Sequence, residues 1–385
     1  MNINEESELI KQKEFSQNNQ ENNQENKKFQ ISFFSRKNII INMIVLIIFL
    51  TFTIFCIIYY VLENKPITIL KRLLKEGNEI IPFPADESTK YSPSLLDEKN
   101  ICSKNKKVII LRRTSCEACG LFSYYIVHLG CIINYLKHGY IPILDVGSFT
   151  NIFTGYKEVD NNLWEEFFEQ PCGYTLAQVV KMKNIQISEC QCVCDMPDEK
   201  TVYSNNIMWD YHHQIQEKYM SVKKNIYKAV DNIWQDLFGN SKNVLGILIR
   251  GTDYRANEPY GHSVQPSLKI VINDTITMNK KYNYDFIFLA TEDNIIRKKF
   301  INIFKNKLKY LLPEKKVFYN YKRMNFLTFN DNVFGNMNFQ KTYLLNMIIL
   351  SQCQDIISAR TSGAAGAFIL SKGFRNSLFY YLGEF

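Results

Sequence analysis

A long uncharged apolar segment constrains this chain more than any other feature. No charged residue occurs from Asn38 to Leu62, and the run from Ile39 to Ile58 is almost wholly apolar. About 20 such residues span the hydrocarbon core of a bilayer, so a transmembrane helix suits this length better than a buried core helix. A cleaved signal peptide would carry its apolar core nearer the start, followed by small residues. We therefore predict a transmembrane signal anchor over residues 38–62.

The segments on either side of this span are polar. Residues 1–30 are mostly Asn, Gln, Glu and Lys, and their few apolar side chains cannot offset the entropy of ordering, so residues 1–37 are predicted to be a disordered cytosolic tail. Residues 63–105 begin with a short amphipathic piece and continue rich in Pro, Ser and charge, which is typical of a stem. Basic residues flank the span on both sides, so the positive-inside rule leaves its orientation open.

From Lys107 onward, short apolar runs alternate with helical patterns. The predicted strands are Val108–Leu111, Tyr140–Val146, Val244–Ile249, Asp285–Ala290, Val317–Tyr319 and Asp355–Ser358. The predicted helices are Gly120–Leu136, Trp164–Phe168, Gln214–Leu237, Pro266–Asn279, Asn294–Leu308, Gln340–Cys353 and Gly363–Leu370. This alternation predicts an α/β fold with parallel sheets covered on both faces. It divides near Asn240, which predicts two Rossmann-like domains facing a cleft, over residues 106–240 and 241–385.

Charge and cysteine usage narrow the class of protein. The net charge of +8 is spread along the chain without a basic stripe, so nucleic acid is not an expected partner. Nine of the ten cysteines follow the span, which favours an oxidising lumen for the globular part. The sequon Asn273-Asp274-Thr275 is compatible with that location.

The cysteine spacing leaves two alternatives open. Cys116 and Cys119 have the spacing of a redox or zinc motif, and Cys190, Cys192 and Cys194 lie further along the chain. A second Cys-x-x-Cys and a His pair at ligand spacing are both missing from the sequence. Structural disulfides are therefore the preferred interpretation, and a redox or zinc-dependent membrane protein is the rival one.

Polar residues follow three of the predicted strands, where ligands of open parallel sheets bind. These strand ends are Arg250-Gly251-Thr252-Asp253, Thr291-Glu292-Asp293 and Arg360-Thr361-Ser362-Gly363. A guanidinium can hold two diphosphate oxygens, glycine lets the backbone approach a ligand, and a helix beginning after the third strand end offers N–H groups to an anion. Simpler alternatives are an ion pair of Arg250 with Asp253 and helix capping by Asp293, Thr361 or Ser362. Together the three ends predict one crevice.

In this order, the three strand ends resemble the fucosyltransferase superfamily of glycosyltransferases. Arg250-Gly251-Thr252-Asp253 is similar to its first motif and Leu289-Ala290-Thr291-Glu292-Asp293 to its second. Leu350-Ser351-Gln352-Cys353-Gln354-Asp355, followed by Arg360-Thr361-Ser362-Gly363, is similar to the third. The resemblance extends in order over residues 107–385.

The resemblance implies a GT-B fold whose C-terminal domain binds a nucleotide sugar and whose N-terminal domain holds the acceptor. Arg250 would contact the donor diphosphate, and Thr361 and Ser362 would bind phosphate. The other implied donor-binding residues are Gly251, Thr252, Thr291, Asp293, Asn346, Arg360 and Gly363. Inverting transfer without a metal or other cofactor is implied too, and the sequence contains no Asp-x-Asp motif.

Two positions depart from the family pattern, and the catalytic base is open. Leu248 stands where the family carries His, and Asn346 stands where several members carry an Asp that reads guanine, so GDP-fucose is the leading donor by resemblance. Transfer to a hydroxyl needs a base, for which Asp253, Glu258 and His262 are the candidates beside Arg250. His128 is interpreted as a packed helical histidine.

The resemblance implies a type II membrane protein of the secretory pathway, in the Golgi. Its expected partners are a nucleotide-sugar donor, a glycan or glycoprotein acceptor and the membrane. Its predicted activity is inverting glycosyl transfer, with fucose the leading sugar. The alternative is a non-catalytic glycan-binding or adaptor protein that retains the fold, which Leu248 and Asn346 motivate.

Overall fold

The computed structural model describes residues 40–61, 65–75, 91–103, 107–116, 119–154, 159, 161–183, 185–190, 197, 203–251, 258, 262–312 and 337–385. The chain divides into two compact units, Met1–Asn64 and Lys65–Phe385. In the first unit, helix α1 (Ile40–Val61) is long and apolar enough to cross a membrane, and none of it is buried within the protein. The predicted apolar helix is therefore present, and its insertion into a membrane stays a prediction.

The helices of the second unit largely follow the apolar periodicity. They are α2 (Pro66–Lys75), α3 (Glu98–Ser103), α4 (Leu121–Lys137), α5 (Leu176–Val179), α6 (Asn206–Tyr219), α7 (Lys224–Phe238), α8 (Leu268–Tyr282), α9 (Asn294–Phe304), α10 (Met337–Gln352) and α11 (Ser362–Leu370). Local signals set their ends. Ser267 caps α8 by accepting a bond from the Ile270 N–H at 3.3 Å, and left-handed Asn283 (φ 48°) ends it. The helix predicted at Trp164–Phe168 is instead the 3-10 turn Leu163–Glu166.

In the described part of the chain, eight strands form two parallel sheets. The strands are β1 (Lys107–Arg112), β2 (Tyr140–Leu144), β3 (Gln186–Glu189), β4 (Val244–Leu248), β5 (Phe286–Ala290), β6 (Leu308–Lys309), β7 (Asp355–Ala359) and β8 (Asn376–Tyr380). Their orders are β2-β1-β3 and β6-β5-β4-β7-β8, and every pairing between them is parallel. The predicted α/β class is confirmed. The strand predicted at Val317–Tyr319 lies outside the described residues.

The centre of the larger sheet explains the apolar run of β4. All five of its residues are buried, because β5 and β7 flank it and helices cover it. A Cβ at Gly246 would lie 3.0 Å from a Leu350 methyl group and 3.1 Å from the Cys353 sulfur. Glycine at this position therefore lets the end of α10 lie close against the sheet.

The single helix predicted over Gln214–Leu237 is wrong. The chain leaves the helical path between α6 and α7, where Val222 forms an antiparallel bridge with Phe168. The Lys223 N–H donates to the Phe167 carbonyl at 2.9 Å. Backbone groups bonded to a neighbouring segment cannot also continue a helix, so a tertiary contact divides it.

Helix α2 shortens the stem predicted for residues 63–105. Ile67 and Leu70 of α2 are 2% and 0% exposed, and they share a hydrophobic cluster with Ile110 of β1 and Ile143 of β2. The amphipathic piece is therefore part of the folded unit, because its apolar face covers the smaller sheet.

The cysteines form the structural disulfides that the sequence analysis preferred. Among the described cysteines, the bonded pairs are Cys102–Cys172, Cys116–Cys119 and Cys131–Cys190. The two cysteines of the Cys-x-x-Cys motif are bonded to each other in this structure. Because a sulfur in a disulfide is not a thiolate, this pair is not a zinc ligand here. Cys192 and Cys194 lie outside the described residues.

A buried carboxylate holds together the start of β7 and its neighbours. Asp355 is fully buried and accepts bonds from the Arg375 guanidinium, from the Asn376 N–H at 2.8 Å and from the Tyr284 hydroxyl. Burial alone would raise the pKa of Asp355, but the hydrogen bonds from Arg375, Tyr284 and Asn376 outweigh it and hold that pKa below its usual range. This network joins β7, β8 and the segment before β5.

The two halves of the second unit are joined by direct contacts. The Trp209 indole N–H of α6 donates to the Phe368 carbonyl at 2.7 Å, and His213 bonds the Ile369 carbonyl at 2.7 Å. These are the last carbonyls of α11, so the first half of the unit caps a helix of the second. The domain boundary near residue 240 stays a prediction.

Candidate active site

The three polar strand ends lie side by side at one edge of the larger sheet. The last residue of β4, Leu248, is paired with Ala290 of β5 and Ser358 of β7. The residues two positions beyond this paired row are Arg250, Glu292 and Arg360. Neighbouring strands are about 4.8 Å apart, so these three positions occupy one level across three adjacent strands. The three strand ends are therefore adjacent, with that of β4 in the middle, and a crevice shared by them stays a prediction.

Arg250 pairs with a carboxylate of the neighbouring strand end. Its Nε lies 3.5 Å from Oε1 of Glu292, and the two side chains are 34% and 27% exposed. The turn pair expected with Asp253 is untested, because Asp253 and Thr252 lie outside the described residues. The guanidinium is thus partly accessible and held by a carboxylate that an anionic ligand would have to compete with.

Gly251 is required by the packing of Asp293. A Cβ at position 251 would overlap the Asp293 carboxyl group. That carboxylate caps α9 by accepting bonds from the N–H groups of Ile295 at 2.7 Å and Ile296 at 3.2 Å. The Thr291 hydroxyl accepts the Asp293 N–H at 3.2 Å. The capping alternative therefore describes Asp293, and a donor-binding role for Thr291 and Asp293 stays a prediction.

The third strand end opens the nine-residue helix α11. The Thr361 hydroxyl caps it by accepting the Ala364 N–H at 3.1 Å. Ser362 is the first helical residue and is partly exposed, whereas Gly363 is buried. The positive end of the helix dipole therefore lies beside Arg360, at the level of Arg250. This arrangement can bind an anion.

Two aromatic residues that were not among the predicted site residues set how closely α11 packs. A Cβ at Gly363 would overlap the Tyr343 hydroxyl, and a Cβ at Gly366 would overlap the Phe122 ring. The two rings contact each other edge to face, with centroids 5.4 Å apart. Three segments far apart in sequence meet here, so no local pattern could have identified the contact.

Asn346 lies on α10, one turn beyond Thr342. Its side-chain amide donates to the Thr342 carbonyl at 2.9 Å, and the residue is partly buried. This local bond uses the amide nitrogen and orients the side chain along the helix. Its predicted contact with the nucleotide base stays a prediction.

The loop after β4 carries the candidate bases. Glu258 is exposed and has a positive φ of 41°. His262 is exposed, and its carbonyl accepts the Phe385 N–H at 3.0 Å. Both side chains are accessible to solvent at the end of the chain segment that begins with Arg250.

The smaller sheet also has a charged edge, which no local sequence pattern indicates. Arg112, at the end of β1, lies 3.6 Å from Asp145 and 3.7 Å from Glu189, which follow β2 and end β3. The Thr114 N–H and hydroxyl donate to Glu189 at 3.0 and 2.8 Å. These contacts brace the loops after the strands. Only the pairing of β1 with both neighbours brings the charges together.

His128 is a packed helical residue, as predicted. It is fully buried in α4, with its ring 4.8 Å from that of Trp164 and 5.4 Å from that of Tyr124. Burial, and secondarily the charge of Arg113, lower its pKa well below the ordinary value for histidine. A histidine held neutral within an aromatic cluster has a structural role.

Comparison with known proteins finds similarity in structure but none in sequence. No family model matches the chain, and no curated protein matches it. Fucosyltransferase NodZ from Bradyrhizobium is 12% identical, with a TM-score of 0.42, covering 70% of this chain and 94% of that chain. POFUT1 in complex with GDP is 10% identical with a TM-score of 0.38, covering 72% of this chain and 98% of that chain. A FUT1 variant from Arabidopsis thaliana in complex with GDP is 8% identical with a TM-score of 0.37, covering 74% and 77%.

The chain is thus similar to solved fucosyltransferases. At these scores the likeness assigns no substrate or residue role to this chain.

Proposed function

We propose that this chain is a membrane-anchored, inverting glycosyltransferase of GT-B type that uses a nucleotide-sugar donor. The observation that carries the proposal is the placement of Arg250 and Arg360 at one level of adjacent strand ends, beside the N-terminus of α11. A diphosphate carries negative charge and several acceptor oxygens, for which two guanidinium groups and helical N–H groups are suitable donors. GDP-fucose is the leading donor, by the resemblance of the strand-end motifs.

The proposed reaction needs charge stabilisation on the leaving group. The acceptor hydroxyl oxygen attacks the anomeric carbon of the sugar, and the bond from that carbon to the diphosphate oxygen breaks. The bonding electrons leave with the nucleoside diphosphate, where Arg250, Arg360 and the Thr361 hydroxyl would stabilise the new charge. Because these groups can supply that stabilisation, we expect activity without a metal or another cofactor.

The hydroxyl proton is proposed to pass to a base on the loop after β4. Glu258 and His262 are exposed there, and Asp253 belongs to the same loop in sequence. A base must reach the proton it removes, so an accessible side chain beside the donor phosphates is the suitable type. Single substitutions of the three residues, assayed for kcat with donor binding unchanged, would identify it.

A non-catalytic binding protein is the second candidate, and two observations favour it. Leu248, where the resemblance expects His, is 9% exposed and belongs to the hydrophobic core. Arg250 is paired with Glu292 at 3.5 Å. A protein of this kind would bind a nucleotide or glycan and release no product.

A lumenal location of the folded unit is supported by its disulfides. Cys102–Cys172 and Cys131–Cys190 join segments 70 and 59 residues apart. Such bonds form and persist in oxidising compartments. With α1 as the anchor, we propose a type II protein of the secretory pathway, in the Golgi. Protease protection of the folded unit in sealed vesicles is the expected result, and its digestion in intact vesicles contradicts this topology.

The test of function uses the full chain in detergent micelles. We expect GDP to bind, and one nucleotide sugar from a panel that includes GDP-fucose to release its nucleoside diphosphate when acceptor glycans are present. Arg250→Ala should weaken GDP binding about 10-fold or more and abolish donor turnover, whereas Arg72→Ala on α2, a partly exposed arginine outside the site, should change neither. GDP binding without turnover of any donor would select the binding protein. Binding that Arg250→Ala leaves unchanged would refute the site.

A further inference from the structure

The segment after β8 returns to the candidate site. We call Tyr381–Phe385 the strap. The Val264 N–H donates to the Gly383 carbonyl at 3.0 Å, and the Phe385 N–H donates to the His262 carbonyl at 3.0 Å. Between these bonds, Ser263 and Glu384 form an antiparallel bridge. The strap is therefore paired with the end of the loop that follows β4.

Arg360 is the point where this pairing meets the end of β7. Its N–H donates to the Tyr380 carbonyl at 3.3 Å. Its carbonyl accepts bonds from the Ser263 hydroxyl and from the Gln265 amide, the latter at 3.5 Å. The backbone of Arg360 is thus bonded on one side to β8 and on the other to the loop.

The strap also holds the Arg360 side chain. Glu384 forms an ion pair and hydrogen bond with Nη1 of Arg360, and the Tyr381 ring centroid lies 5.7 Å from the guanidinium carbon. The side chains of Arg360 and Glu384 are 25% and 44% exposed. A long exposed arginine loses rotamer entropy when it binds a ligand, and a carboxylate fixed by its own backbone can hold one rotamer in advance.

We propose that Glu384 is a positioning residue, which holds the Arg360 guanidinium at the strand-end level where it meets the donor diphosphate. The inference rests on the proposed function and deepens it. A guanidinium carries five N–H donors, so a carboxylate on Nη1 fixes its plane without occupying the whole fork. The strap then contributes Glu384 to the site.

Positioning and competition predict opposite changes in GDP affinity when Glu384 is replaced. Glu384 is bonded through its backbone bridge to Ser263, which also bonds the Arg360 carbonyl, so both partners of the pair are held by one junction. A pair held in this way stays formed when a ligand arrives. If Glu384 merely neutralised Arg360, its removal would free the cation and tighten binding of a diphosphate.

The experiment measures binding of GDP, guanosine and inorganic pyrophosphate to the full chain in detergent micelles by titration calorimetry. GDP reports the diphosphate contact, and guanosine reports the base and ribose alone. The variants are Glu384→Gln, Glu384→Asp and the matched strap control Leu382→Ala, whose side chain is 50% exposed. Hydrogen exchange of the Val264 and Phe385 amides reports whether the strap remains paired.

For Glu384→Gln we expect GDP to bind about fivefold more weakly, the cost of ordering one arginine side chain on binding, with guanosine unchanged. Glu384→Asp should recover part of the loss, and Leu382→Ala should match the wild type. Equal or tighter GDP binding by Glu384→Gln, or a parallel loss of guanosine, would overturn the role of Glu384 and leave the proposed function intact. A wild-type chain that binds neither GDP nor inorganic pyrophosphate would overturn both.

Discussion

Glu292→Gln is expected to tighten GDP binding, because it removes the carboxylate that competes with a diphosphate for Arg250. The charges are 3.5 Å apart, and the side chains are 34% and 27% exposed. At an effective dielectric constant of 20, this separation corresponds to a gross attraction of roughly 5 kcal/mol. Solvent screening and side-chain entropy reduce the net value of partly exposed pairs to about 0.2–1 kcal/mol. A diphosphate that binds Arg250 must overcome only this net energy of the Arg250–Glu292 pair.

The assay is calorimetric titration of the full chain in detergent micelles with GDP, at low and at physiological salt. A net pair energy of 0.2–1 kcal/mol corresponds to binding that is about 1.4- to 5-fold tighter in Glu292→Gln. The gain should shrink as salt rises, since screening already weakens the pair. Glu292→Asp retains the carboxylate and serves as the matched control. Arg250→Ala should weaken binding about 10-fold or more, because a hydrogen bond to a charged group is lost.

The double variant decides whether the gain acts through Arg250. If it does, Glu292→Gln should have no effect on GDP binding in the Arg250→Ala background. A gain that persists there would refute the competition. Weaker GDP binding in the single variant would also refute it and would make Glu292 a donor contact, as carboxylates at a strand end can hold a ribose hydroxyl.

Three further predictions concern the framework of the site. Gly251→Ala should lower the free energy of unfolding by about 1 kcal/mol or more, because the new Cβ overlaps the Asp293 side chain that caps α9. Gly120→Ala is the control, because a Cβ there meets no neighbouring atom and should not lower that free energy by as much. Urea denaturation measures both variants. Because the pKa of His128 is lowered in the fold, the unfolded chain binds more protons than the folded chain below about pH 6.5. The free energy of unfolding should therefore fall as the pH is lowered below that value, by up to about 1.4 kcal/mol per pH unit. His128→Phe should flatten that slope in thermal melts recorded across pH. Asp355→Asn should cost about 3 kcal/mol in the same denaturation assay, because it removes a buried charge from its hydrogen-bonded partners; a loss below about 1 kcal/mol would refute that view of the network.

Local patterns predicted the central elements of the larger sheet. β4, β5 and β7 are short, largely buried apolar runs bounded by polar residues, and their short length and composition indicate strands. Helix starts were equally local, because Ser267, Asp293 and Thr361 cap helices through side-chain bonds within three residues.

The elements that sequence reasoning missed depend on contacts outside their own segment. β3, β6 and β8 lie at sheet edges. β3 and β6 are only partly buried, no residue of β8 is fully buried, and the apolar run is broken. The break between α6 and α7 depends on the bridge of Val222 with Phe168. Burial of α2 depends on the smaller sheet, which begins more than thirty residues later.

The sequence by itself determined the apolar helix, the alternation of strands and helices, and the polar residue types at three strand ends. Only the tertiary structure decided that β4 lies between β5 and β7, which sets Arg250 between Glu292 and Arg360. It likewise decided that Glu384 reaches Arg360. The physical reason is that strand neighbours are chosen by the burial of helices against both faces of a sheet. That choice joins segments distant along the chain and leaves no trace in local periodicity.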